Sequence, residues 1–525
     1  MPPHAIAAAP HPGWRSSLVA GAIALAAYLA LAPQVCGDKD AAEFTLVLGA
    51  GGVAHPSGYP LYTLLGHPFV KLLHAFGATW AYAANAWSAL GGAVAVALLH
   101  RLARRLTWAP GEAMRPVAWF AWLPVLLFGL NPLWTYETTL AETGSWHLAW
   151  AAGAVLLALR LLETRADAPT RRDAMAWGLV AGAGLAHHLT ALLLLVPLTF
   201  VLARAAGRRL SVGLVAMAVL GALAPLTGYG WVAWRAFHPG AAQWPALAPT
   251  WGAVWDHVTA SQYAGYFGAF RPSAGQAGLL ARYAYPFLVV VAVAMALAIR
   301  AAGRGPRRLV LAAVAAGCVL QLAVVFAYGV ADPGSYFVPV LGLGLMALAP
   351  ALVSLAPGTR GTRGLWAVVA LAMLVSVSLG AVWSGAARQR RAVFTKHETL
   401  VRRMWSSITV EPAFVLWHSD MVHQLLAWQV LDGEKPGLVV LNPATLTHAW
   451  PRAQFAARYG VDPVAGLAVP RPGREAVGGE AALVEAIAGR LNEGTELPVI
   501  IFDAAVPSVH MLRKGEVTAP GSSRP

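Results

Sequence analysis

The sequence predicts a mainly α, polytopic membrane protein with about eleven transmembrane helices and a small C-terminal α/β region. Three observations predict it. Hydrophobic residues make up 58% of the 525 residues and charged residues only 12%, about half the charged share of a soluble domain. The apolar residues fall in runs close to the roughly 20 that a spanning helix needs. Short strand-like runs alternate with helical stretches only after Trp383. The formal charge of +14, from 38 Lys+Arg against 24 Asp+Glu, would suit a nucleic-acid partner if it lay on one soluble face. It lies between apolar runs in a chain of mean hydropathy +0.58. That placement excludes nucleic acid and points to membrane topology.

In chain order, the first run, 17–35, follows Arg15 and lacks a small-residue cleavage pattern, so it reads as a retained anchor. Further runs lie at 80–100, 116–133, 145–162, 173–188, 189–204, 211–233, 283–300, 308–328, 335–355 and 364–384. The stretch 173–204 is read as two short helices meeting near His187-His188. One helix of about 30 residues would be roughly 45 Å long, well beyond the hydrocarbon core. With the N-terminus inside, eighteen Lys and Arg residues fall in inner loops, such as Arg101, Arg104 and Arg105, or Arg300, Arg304, Arg307 and Arg308. Only Lys39, Lys71, Arg235, Arg271 and Arg282 fall in outer loops. The positive-inside rule then places the N-terminus in the cytoplasm and the C-terminus outside.

Beyond Trp383, residues 388–408 are charged and helix-compatible. Strand-like runs follow at Ala413–Trp417, Gly437–Leu441 and Pro498–Phe502, with helical stretches near 420–432 and 480–492. The expected organisation is a membrane core over 1–386, a connecting helix over 387–403, and an extracytoplasmic α/β domain over 404–525 that ends in a disordered tail. Cys36 and Cys318 lie in separate apolar runs, which argues against a disulfide.

Acids and histidines are scarce, and in this topology they collect on the outer face. Outer loop 1 holds Asp38, Asp40 and Glu43, then His55-Pro56-Ser57-Gly58-Tyr59-Pro60. Outer loop 2 holds Glu137 and Glu142, with Trp134, Tyr136, Trp146 and His147 around them. His187 and His188 lie at the outer ends of two short helices, and Asp332-Pro333 opens the last outer turn. Taken singly, each has an ordinary reading: a solvated charge or N-terminal helix charge, a helix stop, a belt aromatic. Taken together, four outer segments deliver ionisable groups to one side of a membrane, where such groups are costly and mark function.

Asp40-Ala41-Ala42-Glu43-Phe44, followed twelve residues after Glu43 by His55-Pro56-Ser57-Gly58-Tyr59-Pro60-Leu61-Tyr62, resembles the motif that opens a family of multispanning proteins. That family is common in bacteria and includes the eukaryotic transmembrane O-mannosyltransferase of plexin-type (IPT) domains. It is similar to the GT-C class of membrane glycosyltransferases. Ala141-Glu142, Gly184 through Thr190, Thr250-Trp251-Gly252 with Tyr263, and Asp332 through Pro339 resemble its later segments in order. Trp417-His418-Ser419-Asp420 and Lys435 through Asn442 resemble tail segments of the bacterial members.

The resemblance implies transfer of a sugar, such as mannose, from a polyprenyl-phosphate sugar to an extracytoplasmic protein or glycan acceptor, in a bacterial inner membrane. It implies Asp40 as general base with Glu43 as a second catalytic acid. His55, Tyr59, Glu142, His187, His188 and Asp332 become candidate substrate contacts. No cofactor is demanded and no residue is assigned as a metal ligand, although the acid–histidine set admits a divalent metal. Two other classes remain: a transporter or flippase, which the lack of an internal repeat and of mid-span acids disfavours, and a non-catalytic envelope assembly protein acting through its outer domain.

Overall fold

The computed structural model describes residues 13–38, 40–107, 119–164, 169–240, 247–268, 270–330, 332–355, 358–417, 421–467, 479–503 and 508–512. The chain is mostly helical. Among the described residues, six helices are long and apolar enough to cross a membrane: Trp80–Thr107, Gly144–Glu163, Ala191–Arg209, Ala274–Ala301, Pro306–Ala327 and Gly334–Ser354. A seventh span is formed if Val212–Leu226 and Tyr229–Phe237, bent by 42°, count as one.

The expected count of eleven is not reached by length and hydropathy, for local reasons. Arg15–Leu31 and Arg171–His187 have 17 residues each. The run 116–133 is cut into Trp122–Gly129 and Pro132–Thr139, since Asn131 caps the second helix by accepting the Leu133 N–H and Pro132 occupies its first turn. The stretch 173–204 is two helices, broken at the extended backbone of His188. The runs 364–384 and 388–408 belong to one helix, Gly358–Ser407, of 50 residues. At about 75 Å it is far longer than the hydrocarbon core is thick, so it carries the chain well clear of the bilayer.

Trp80–Thr107 is the central helix, packed against Arg15–Leu31 and Gly144–Glu163. Arg171–His187 and Val212–Leu226 lie closest together because small residues face each other. A Cβ on Gly178 would sit 2.0 Å from the Ala218 carbonyl oxygen, and one on Gly182 would sit 2.1 Å from that of Ala222. The four-residue spacing of those glycines is the membrane packing pattern in which backbones approach without side chains between them.

After the long helix comes a four-stranded sheet in the order β2-β1-β3-β4. Its strands are β1 Ala413–Leu416, β2 Leu438–Leu441, β3 Val499–Asp503 and β4 Ser508–Leu512. β1 pairs in parallel with β2 and β3, each connection crossing through helices. β4, which the sequence did not suggest, returns antiparallel to β3. The central β1 is buried along its whole length. Val401, Met404 and Trp405 at the end of the long helix share a core with β1, Trp428 and Phe502. The adjoining helix Val422–Leu431 lies on Asp40–Ala50, where Leu46 packs against Ala427 and a Cβ on Gly49 would sit 2.6 Å from Leu431 Cδ1. The helix that carries Asp40 and Glu43 is thus held between the membrane bundle and the C-terminal region.

Candidate active site

The Asp40–Ala50 helix starts at its two acids, which favour the positive N-terminal end of the helix dipole. Their three-residue spacing puts both on one face. Their fates differ. The Glu43 side chain is 3% exposed, whereas that of Asp40 is 57% exposed. Both Glu43 oxygens are engaged by one residue: the His55 backbone N–H donates to Oε1 at 2.7 Å, and His55 Nδ1 lies 2.8 Å from Oε2. An ionised carboxylate only accepts, so Nδ1 carries the proton. His55 Nε2 lies 3.0 Å from the Tyr59 hydroxyl, which also donates to the Pro56 carbonyl at 3.3 Å, and 4.0 Å from Asp40 Oδ2.

Tyr59 has φ of 43°, the left-handed region that disfavours a side chain. Its ring is held there by His55 at 5.1 Å, Phe44 at 5.8 Å and His188 at 5.5 Å between centroids. The twelve-residue spacing of Glu43 and His55 is therefore the span of a helix that runs inward and a turn that returns.

His188 continues the chain of contacts, with Nδ1 2.8 Å from the Thr190 hydroxyl. His187 lies behind it, Nε2 3.1 Å from the Thr143 carbonyl oxygen. His147, not among the sequence-chosen site residues, completes a histidine group. Its ring centroid is 5.8 Å from that of His187 and 5.1 Å from that of His188, and its Nε2 is 3.3 Å from the Thr190 hydroxyl. Its Nδ1 is buried with no hydrogen-bond partner among the described residues. The sequence signal was present, since His147 lies three residues into a helix whose start the arginine pattern assigns to the outer side, but its companions lie some forty residues away.

Outer loop 2 places its two acids differently. Glu142 is half-buried, and its backbone is pinned by Ser88, whose hydroxyl donates to the Glu142 carbonyl at 2.8 Å and accepts its N–H at 3.0 Å. Glu137 is the deeply buried acid of this loop, at 2% exposure. Burial pushes its carboxyl up to about 8; the Gly144 N–H partly offsets this, and the charge of Asp40 adds to the rise. A Cβ on Gly144 would lie 2.0 Å from Glu137 Oε2, so the glycine makes the room that this carboxyl occupies. Asp332 is half-buried on the turn that leads into the Gly334–Leu345 helix.

The long helix braces both outer loops, which no local pattern announced. Glu398 accepts the Cys36 backbone N–H at 3.2 Å and an N–H of Gln424 at 3.0 Å. Arg390 donates to the Thr139 hydroxyl and lies 5.3 Å over the Tyr136 ring. Tyr136 in turn donates to Asp38 at 2.6 Å. The tail residues 418–420, which the resemblance includes, lie outside the described residues.

Asp40, Glu43 and His55 offer ligand atoms that all lie within 4.8 Å of one another, a donor set of two carboxylates and an imidazole suited to a divalent cation. In the structure Glu43 and His55 already satisfy each other, and the open valences are those of Asp40. The arrangement can hold one solvent-facing carboxylate in place and accept a proton on it.

Residues 40–210 match the family model described as the protein O-mannosyl-transferase TMEM260 N-terminal domain, beginning at Asp40 itself. A mouse (Mus musculus) protein, "Protein O-mannosyl-transferase TMEM260", is 37% identical over 99 residues, which is 18% of this chain and 14% of that protein. The matched stretch thus spans about one seventh of that relative. Among solved structures, ArnT from Cupriavidus metallidurans bound to undecaprenyl phosphate superposes with a TM-score of 0.53 at 14% identity, covering 96% of each chain. Its apo state gives 0.52 at 14% identity, covering 93% of each chain. At that identity the likeness is one of fold. The chain is a polytopic membrane protein that shares its fold with ArnT, and residues 40–210 are similar to the N-terminal domain of the O-mannosyl-transferase TMEM260.

Proposed function

We propose that the chain is a membrane glycosyltransferase that moves a sugar from a polyprenyl-phosphate donor to a hydroxyl group of an extracytoplasmic acceptor, with Asp40 as general base. The observation that carries the reading is the unequal pair of acids at the start of the region matching the O-mannosyltransferase model: Glu43 locked onto His55, Asp40 left open beside it.

In this mechanism the acceptor oxygen forms a bond to the anomeric carbon as the bond from that carbon to the lipid phosphate breaks. The acceptor proton passes to the Asp40 carboxylate, and the polyprenyl phosphate leaves with the bonding electron pair. One displacement inverts the anomeric carbon and needs no covalent intermediate. Glu43 acts on this step only through His55, by fixing the ring that stands 4.0 Å from Asp40. Tyr59 and His188 line the approach on the side of the histidine group. If Asp40, Glu43 and His55 hold a divalent cation, its chemistry would be neutralisation of the leaving phosphate.

The proposed setting is a bacterial inner membrane with the arginine-rich loops in the cytoplasm. The core over 1–386 and the sheet region over 404–525 are then joined through the outer half of the long helix. ArnT was crystallised with undecaprenyl phosphate, which supports a lipid-linked donor for a chain of the same fold.

The test is transfer by the purified full chain from a defined polyprenyl-phosphate mannose to a panel of protein and glycan acceptors, with and without EDTA. Asp40→Asn is expected to lower transfer by about 10²–10⁴-fold while the protein still inserts and purifies as a folded monodisperse species. Wild-type rates in that variant would remove Asp40 from the mechanism. Counterflow of lipid-linked sugar across liposomes without any transfer would favour the transporter class instead.

A further inference from the structure

The Asp40 carboxylate is open, so the residues that border the opening decide what reaches it. Four tyrosines gather there from two distant outer segments. Tyr263 and Tyr266 come from the short helical turn Ser261–Tyr266; Tyr328 and Tyr336 flank the turn that follows the Pro306–Ala327 helix. Two backbone hydrogen bonds clip the segments together: the Gly268 N–H donates to the Ala327 carbonyl at 2.9 Å, and the Gly329 N–H to the Tyr266 carbonyl at 2.8 Å. Neighbouring ring centroids are 5.9 Å apart for Tyr263 and Tyr266, 5.8 Å for Tyr266 and Tyr328, and 5.5 Å for Tyr328 and Tyr336.

The first segment is pinned beside the acid site: His257, just before the Ser261–Tyr266 turn, has Nε2 3.1 Å from the carbonyl oxygen of Ala54, the residue that precedes His55. Burial raises the Tyr263 and Tyr328 phenols, and the Asp40 charge adds to the rise in each. The Tyr59 phenol is raised by burial and then by Tyr263, Tyr336 and Asp40. An interfacial aromatic belt would turn its rings outward to lipid. Phe267 is 55% exposed, while all four tyrosines are half-buried.

We propose that Tyr263, Tyr266, Tyr328 and Tyr336 form a sugar-binding wall in front of Asp40 and take the pyranose ring of the lipid-linked donor. The inference rests on the transferase reading above and names the residues that would select its sugar. A pyranose presents C–H groups on its faces and hydroxyls around its rim. A tyrosine ring offers the electron-rich face that C–H groups seek, and its hydroxyl both donates and accepts at the rim. Four rings in mutual contact make an apolar wall with polar tips, the usual composition of a small-ligand site.

The experiment measures equilibrium binding of the full chain in lipid nanodiscs to undecaprenyl phosphate, undecaprenyl-phosphate mannose and undecaprenyl-phosphate glucose. Wild type is expected to bind one sugar lipid about tenfold more tightly than the bare lipid phosphate. Tyr328→Leu and Tyr336→Leu should remove that preference and leave bare-lipid affinity within about twofold, whereas Tyr328→Phe should keep most of the preference. Leu variants that retain the wild-type preference overturn the wall. Leu variants that weaken bare and sugar-bearing lipid equally also overturn it, because the rings would then serve structure alone. Wild type that binds bare and sugar-bearing lipids equally overturns the wall and leaves the transferase reading standing. Wild type that binds none of the three overturns both.

Discussion

The two polar ends of this membrane protein treat their charges in opposite ways. At the arginine end, the three neighbouring guanidiniums of the Trp80–Thr107 helix are all engaged. Arg101 donates to the Gly13 carbonyl at 3.2 Å and lies 4.9 Å over the Trp14 ring; Arg104 donates to the same carbonyl at 3.0 Å; Arg105 pairs with Glu163. At the acid end, the polar groups bind one another in a chain from Glu43 through His55 to Tyr59, and one carboxylate is left over. The lesson is that a cluster with every group matched is an anchor. A cluster matched in all but one group presents that group for chemistry.

Variants can break or sharpen this contrast. The largest effect is expected at the leftover group, where Asp40→Asn removes the base. Next comes Glu43→Gln, which replaces an ionised acceptor of two hydrogen bonds with a neutral amide. Charged hydrogen bonds contribute about 1.5–3 kcal/mol each, so kcat should fall by roughly 10–100-fold with little change in KM. A fall in KM-dependent terms alone would show that Glu43 binds substrate rather than orienting His55.

Gly144→Ala follows. Its methyl group would overlap Glu137, so the buried carboxyl must move, at a cost of about 1–3 kcal/mol, read as a lowered unfolding temperature. An unchanged melting curve would mean that Glu137 relocates freely.

Glu137 also sets a pH dependence. Burial raises its carboxyl from 4.5 to about 8 in the folded chain. The stabilisation this represents is fully present below the unfolded value and is lost as pH rises through the folded one. Wild type should therefore lose stability relative to Glu137→Gln between about pH 5 and pH 9. Parallel curves for the two proteins would show that the acid is not held protonated.

The smallest effect is expected at the other end. Arg105→Ala should cost about 1 kcal/mol or less and leave transfer rates unchanged. A transfer defect there would mean that the two ends are coupled.

Much of this was legible in the residues. Hydropathy marks helices, and the extended break at His188 falls where excess helix length required one. The spacing of Asp40, Glu43 and His55 announced their meeting because all three lie on one short helix and the turn after it. The resemblance included Glu142; the structure adds Glu137, buried against Gly144 and joined electrostatically to Asp40. The two acids are five residues apart on either side of a helix end, and only packing tells them apart. Glu398 and Arg390 had no local signal, since their partners lie tens to hundreds of residues away in the chain.

The sequence by itself determined that this is a membrane protein, where its arginines fall between the apolar runs, and which acids and histidine could form a first site. Those are properties of composition and of neighbours within about one helix and turn. The tertiary structure alone decided which acid stays open, which is buried, and which rings stand before it. Exposure depends on what packs over a residue, and here the covering elements come from the C-terminal helix, the second outer loop and two clipped outer segments far along the chain.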